Sequence, residues 1–136
     1  MNENSGQSAE SAGQASDQQA NQLADWKVAL EVAAGDLDLL LEVLDAFRLE
    51  TPQAVSSIRT ALEARDAKLL HRSAHTVKNA CYNLGAQGPA ERAFQIEKYG
   101  KDARFDDVAP VLEKLEVDMR QIDQEVEQFV RQQRGG

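Results

Sequence analysis

The sequence predicts an all-α protein, an antiparallel up-down four-helix bundle with a short N-terminal lid helix. Three observations lead there. Aromatic residues make up only 5% of the 136, while Ala, Leu, Glu and Gln are frequent, a composition that favours helix. Apolar residues recur at steps of three and four, the helical period, and no stretch alternates as a strand would. The connectors are short, which makes successive helices antiparallel neighbours.

Residues 1–22 are expected to be disordered. After Met1 they offer no large apolar side chain until Leu23, so nothing offsets the entropy of ordering them. The bundle is assigned to residues 23–130. Its lid helix spans Leu23 to Ala34 and stops at Gly35, with Trp26 as an anchor at one end of the core. Asp36 can cap the next helix, residues 37–64. Leu40, Leu44, Phe47, Thr51, Val55, Ile58 and Leu62 hold one register through Pro52, which predicts a single long helix bent at the proline rather than two.

Asp66 suits an N-cap and Gly85 a left-handed terminus, giving a helix over about 66–85. A shorter helix follows, about 89–99, with Pro89 as its first residue and Gly100 closing it. Ala90, Ala93, Phe94 and Glu97 share one face of it, and an acid there is unusual. It calls for a nearby cation or a turn to cap. Asp106 or Asp107 caps the last helix, where Val108, Leu112, Leu115, Met119, Ile122, Val126 and Phe129 alternate steps of four and three. That spacing fits a bundle seam or a dimeric coiled coil. The bundle is preferred because other helices also have stripes to bury, and the chain is expected to be a monomer. Residues 131–136 are expected to fray.

Composition narrows function. The formal charge is −8 and the pI near 4.7, so neither nucleic acid nor an anionic membrane is an expected partner. Cys81 is the single cysteine, no run approaches a membrane span, and the N-terminus lacks a signal-peptide pattern. These features predict a soluble cytoplasmic protein. The Met1 start favours a free protein over a piece of a larger kinase.

The chemistry concentrates on the 66–85 helix. At about 100° per residue, Leu69, Leu70, Ser73, Ala74, Val77, Ala80, Cys81 and Leu84 fall in an arc of roughly 140°, and His75 lies roughly 170° from its centre. His71, Lys78, Asn79 and Tyr82 gather around His75 on the outward side. His71 and His75 have the spacing of a metal pair, but zinc needs further ligands and Cys81 points to the core. No metal or other cofactor is expected on this chain. An enzyme needs a cleft, which an exposed helix face lacks. Two idle histidines on a solvated face remain the plain alternative. An exposed imidazole can also act as a nucleophile inserted into another protein's active site. The segment carries three cations, Lys68, Arg72 and Lys78, against one acid, Asp66, a positive patch suited to an acidic partner site.

At these residues the sequence resembles the histidine-containing phosphotransfer (HPt) domain family of two-component phosphorelays. The family pattern is H-x-x-K-G followed by a second glycine and a small residue. Here it reads His75-Thr76-Val77-Lys78-Asn79, then Leu84-Gly85-Ala86. Asp25-Trp26 with Gly35-Asp36, Phe47 through Thr51-Pro52, Ile58, Ala61-Leu62, Arg65-Asp66 and Ala93 to Glu97 also resemble family elements, so the likeness covers about residues 24–130.

The resemblance implies a phosphocarrier, not a self-contained enzyme. His75 would take a phosphoryl group from a receiver-domain aspartate and pass it to another receiver, with Mg²⁺ in the receiver's own pocket. Lys78 would assist by charge, with Asn79 beside it as a second phosphoryl-supporting residue. Gly85 would end the active helix. Asn79 stands where the family usually has glycine and could alter receiver fit. His71, Arg72 and Tyr82 would lie on the docking face, His71 as a solvated flank. Two other functions stay open: a helical adaptor or oligomerisation module, and a kinase-inhibitory module that accepts no phosphate.

Overall fold

The computed structural model describes residues 21–135, so the expected disorder of 1–22 falls mostly outside the described residues. Residues 21 and 22 are held: the Asn21 carbonyl accepts from Gln121 and the Gln22 amide donates to the Ala24 carbonyl. Five α-helices follow: α1 (Trp26–Val32), α2 (Leu37–Ala64), α3 (Ala67–Asn83), α4 (Gln87–Lys101) and α5 (Val108–Arg134). No strand occurs among the described residues, and none of their helices is long and apolar enough to cross a membrane. The chain is thus all-α, with α2–α5 as the bundle and α1 as the lid.

The starts follow from side-chain chemistry. Asp25, Asp36 and Asp66 sit in extended backbone and accept from amides at the first turns of α1, α2 and α3. Each such cap is worth about 1 kcal/mol. α2 runs unbroken through Pro52, as its register requires. It ends at Arg65, which is left-handed at φ 52°.

Several boundaries differ from expectation. α1 begins at Trp26 rather than Leu23, behind the Asp25 cap, and ends at Val32. α4 begins at Gln87, two residues before Pro89, and runs past Gly100 to Lys101. Gly100 is not a terminator but a contact. A Cβ there would lie 3.2 Å from the His71 amide nitrogen and from Leu70 Cγ, so the missing side chain lets α4 press against the first turns of α3. Asp107 precedes α5 but makes no capping bond; it pairs with Arg104, while Asp106 pairs with Arg65. α5 also continues through Arg134 rather than fraying from Arg131. Arg131 pairs with Glu127 and Arg134 with Asp45.

The core is one cluster. Leu40, Leu44 and Ile58 of α2, Leu70 and Val77 of α3, Ile96 of α4, and Leu112, Leu115, Ile122 and Val126 of α5 are fully buried, with Leu84 at the end of α3. Truncating one of these leucines to alanine ordinarily costs 2–5 kcal/mol. The heptad stripe of α5 is therefore spent inside the bundle. Across the surface, Arg48–Asp123 (2.9 Å) and Arg59–Glu116 (2.8 Å) tie α2 to α5, and Arg92–Asp118 ties α4 to α5. Exposed pairs of this kind add little energy but fix register.

The lid closes one end. Trp26 stacks on Phe129 with ring centroids 4.4 Å apart, the anchoring role the sequence suggested. The Leu23 and Ala24 amides donate to the Glu125 carboxylate, and the Asp25 amide donates to the Leu84 carbonyl at 2.8 Å. Gly85 makes this docking possible. Its φ is +68°, and an added Cβ would stand 2.7 Å from Asp25 Cβ and 2.9 Å from Val28 Cβ. Gly85→Ala is expected to lower stability by about 2–4 kcal/mol, combining left-handed strain with overpacking. Urea denaturation monitored by helicity checks this; an unchanged midpoint would remove Gly85 from the lid contact.

Candidate functional site

His75 stands in the middle of α3 on a face fixed by the residues behind it. Ala74, Val77 and Cys81 are fully buried and Ser73 nearly so, which leaves the imidazole outside the core. Its side chain is 50% exposed. The ring is not free, however. It leans toward α4, where Nδ1 lies 3.1 Å from Glu97 Oε2. Glu97 is the acid that looked misplaced on the apolar face of α4, and it is indeed buried there, 9% exposed.

Three side chains converge on that carboxylate, and a fourth joins them through His75. Besides His75, His71 Nε2 lies 3.3 Å from the same Oε2, and Lys78 Nζ lies 2.9 Å from Oε1. The Lys78 contact is an ion pair whose orientation falls short of a hydrogen bond. The fourth, Asn79, reaches the cluster through the histidine: its amide Nδ2 is 3.1 Å from His75 Nε2. Burial pushes the Glu97 carboxyl upward, but Lys78 and His75 together outweigh it and hold the group below its usual value. It is therefore a carboxylate near neutral pH.

An ionised carboxylate only accepts hydrogen bonds, so His75 must carry its proton on Nδ1 to meet Glu97. In the neutral ring this leaves the lone pair on Nε2, the nitrogen that the Asn79 amide approaches. The arrangement fixes the ring in one tautomer on the exposed side of α3.

The neighbours depart from the expected picture in three ways. His71 is not merely a solvated flank; it shares Glu97 with His75, and the two rings lie nearly parallel at 6.4 Å. Lys78 is only 16% exposed and already paired. Phe94, expected on the apolar face of α4, is 39% exposed and carries the ammonium groups of Lys78 and Lys98 at 4.9 and 4.6 Å from its ring centroid. Arg72, Asn79 and Tyr82 are exposed as expected. Gly85 lies past the end of α3 against the lid, away from the ring cluster. Cys81 is a buried thiol beside Met119, with 3.7 Å between the sulfurs, and burial pushes it up to about 12, Asp118 adding a smaller push. It is no nucleophile.

His75 lines neither of two open grooves found among the described residues. One, of about 460 Å³, is lined by Phe47, Thr51, Pro52, Val55 and Met119, from α2 and α5 alone. Among the described residues no set of three or more His, Cys, Asp or Glu is arranged to hold a metal ion.

A family profile for the Hpt domain matches residues 42–132, a span that contains His75, Lys78 and Glu97. The chain belongs to the Hpt domain family. Two solved structures share its fold. One is the histidine-containing phosphotransfer protein B (HptB) of Pseudomonas aeruginosa PAO1, at TM-score 0.75 and 22% identity, covering 82% of this chain and 97% of that one. The other is the HPT domain of a Shewanella sensor hybrid histidine kinase, at TM-score 0.72 and 23% identity, covering 81% and 95%. No curated protein matches the sequence. At such identities the structural likeness speaks for the bundle, and the Hpt profile speaks for the family.

Proposed function

We propose that this Hpt domain is a phosphocarrier in which His75 accepts a phosphoryl group from the aspartyl phosphate of a receiver domain and hands it to a second receiver. The observation that carries this reading is the His75 ring itself: half exposed on α3 and held by Glu97 through Nδ1, which leaves Nε2 as the nitrogen with a lone pair.

The chemistry follows from that geometry. Nε2 attacks phosphorus as the bond from phosphorus to the receiver's aspartyl oxygen breaks, and the electron pair leaves on the aspartate. The Nδ1 proton stays on the ring. Positive charge that develops on the imidazole is offset by Glu97 at 3.1 Å. The receiver supplies Mg²⁺ and the acidic pocket. Lys78, three residues on, can swing from Glu97 toward the phosphoryl oxygens and lower their charge. Arg72 and Tyr82, exposed on the same helix, together with Lys98 on α4, form the surface a receiver meets. The protein works as a cytoplasmic monomer in this scheme, a reading supported by the burial of Leu112, Leu115, Ile122 and Val126 of the α5 stripe inside the chain's own core.

Incubation with a panel of phosphorylated receivers tests the proposal. Acid-labile phosphate is expected on His75 from at least one of them. Binding of a receiver or kinase with no such label would instead favour an inhibitory module.

A further inference from the structure

One residue after Lys78, and one helical turn on from His75, the chain carries Asn79. Its amide nitrogen sits 3.1 Å from His75 Nε2, the atom assigned to attack phosphorus. The direction of this bond is set by the rest of the site. Glu97 accepts a hydrogen bond from Nδ1–H, so neutral Nε2 has only a lone pair to offer, and Asn79 must donate to it. We infer that Asn79 is a brake on phosphoryl transfer: its amide occupies the nucleophilic lone pair and must be displaced before His75 can react.

The energetics favour a restraint. Water that solvates a bare imidazole leaves as a partner closes over it. Asn79 stays beside the ring even when its hydrogen bond breaks, because it is anchored one helical turn along on the same face. The hydrogen bond must be lost by the transition state, since that lone pair becomes the bond to phosphorus. A neutral hydrogen bond of ordinary net strength then corresponds to a slowing of about three- to tenfold. The side chain also stands where glycine would leave open space for an approaching receiver. The inference rests on His75 being the acceptor, so its test has an arm that needs no phosphate.

The substitution to make is Asn79→Ala, which improves helix propensity and removes the amide. In ¹⁵N-histidine-labelled protein, held at a pH where His75 is neutral, its Nε2 resonance is expected to shift toward that of an unbonded ring nitrogen, with Nδ1 still protonated. Transfer from a phosphorylated receiver is expected to accelerate three- to tenfold. An unmoved Nε2 resonance would overturn the hydrogen bond, whether or not His75 takes phosphate. A moved resonance with an unchanged or slower rate would overturn the brake, a slower rate meaning that Asn79 serves the phosphoryl oxygens. A wild-type protein that takes no label on His75 would overturn the assigned acceptor and, with it, the brake, whatever the resonance shows.

Discussion

His75→Gln is expected to lose all acid-labile labelling by phosphorylated receivers while unfolding at the same denaturant concentration as the wild type. The two outcomes have separate causes. Glutamine has no ring nitrogen that can form a phosphoramidate, so the loss should be complete and not graded. Yet its amide can still reach Glu97, its helix propensity is good, and the side chain replaced is half exposed, so the bundle should be indifferent within about 0.5 kcal/mol. Labelling read beside a urea curve separates chemistry from folding. Persistent label would direct attention to His71, the other imidazole on this face, which also touches Glu97.

The second large effect is expected from Glu97→Gln. The carboxylate does two jobs at once: it dictates the His75 tautomer and neutralises a mostly buried Lys78. A glutamine can accept or donate, so it no longer specifies which ring nitrogen holds the proton. A slowing of transfer by about 10- to 100-fold is expected, since small errors in aiming a nucleophile have effects of that size. Stability should fall by about 1–3 kcal/mol as Lys78 loses its charged partner.

The acid limb of the stability curve supplies a readout that activity does not. The folded Glu97 carboxyl lies below its ordinary value of 4.5, because Lys78 and His75 overcome the opposing effect of burial. Its contribution to stability is therefore fully present above about pH 4.5 and disappears as pH falls through the lower folded value. Glu116, pulled down by Arg59, behaves the same way. Denaturation between pH 6 and 3 should show a shallower decline in Glu97→Gln than in the wild type, with the remaining slope partly due to Glu116. Identical slopes would mean that the carboxylate is not held ionised by its neighbours.

Much of the fold was legible because helices announce themselves locally. The span of α2 follows from one register that Pro52 does not interrupt, and the start of α3 from a single capping aspartate. The ends of α4 were misplaced for a physical reason. Ala86 has no side-chain cap to mark a start, and Gly100 is small to admit α3, not to end a helix. His75 and Lys78 could be singled out from face geometry and motif spacing. Glu97 could be noticed as an acid in the wrong place, but its partners lie on another helix, and no local pattern names them. The same holds for His71, whose contact with Glu97 exists only once α4 is packed on α3. Phe94 shares a helical face with Ala90, Ala93 and Glu97, yet its ring is partly exposed between two lysines, which only the packed structure shows.

The lone thiol offers a practical consequence. Cys81 has no solvent-accessible surface and remains fully protonated near neutrality. Alkylating reagents should thus find it only when α3 comes away from α5, so the pace of modification keeps time for the spontaneous opening of the bundle. Because no other cysteine exists, one introduced beside the docking face could be tagged selectively in the native protein, leaving the interior sulfur silent.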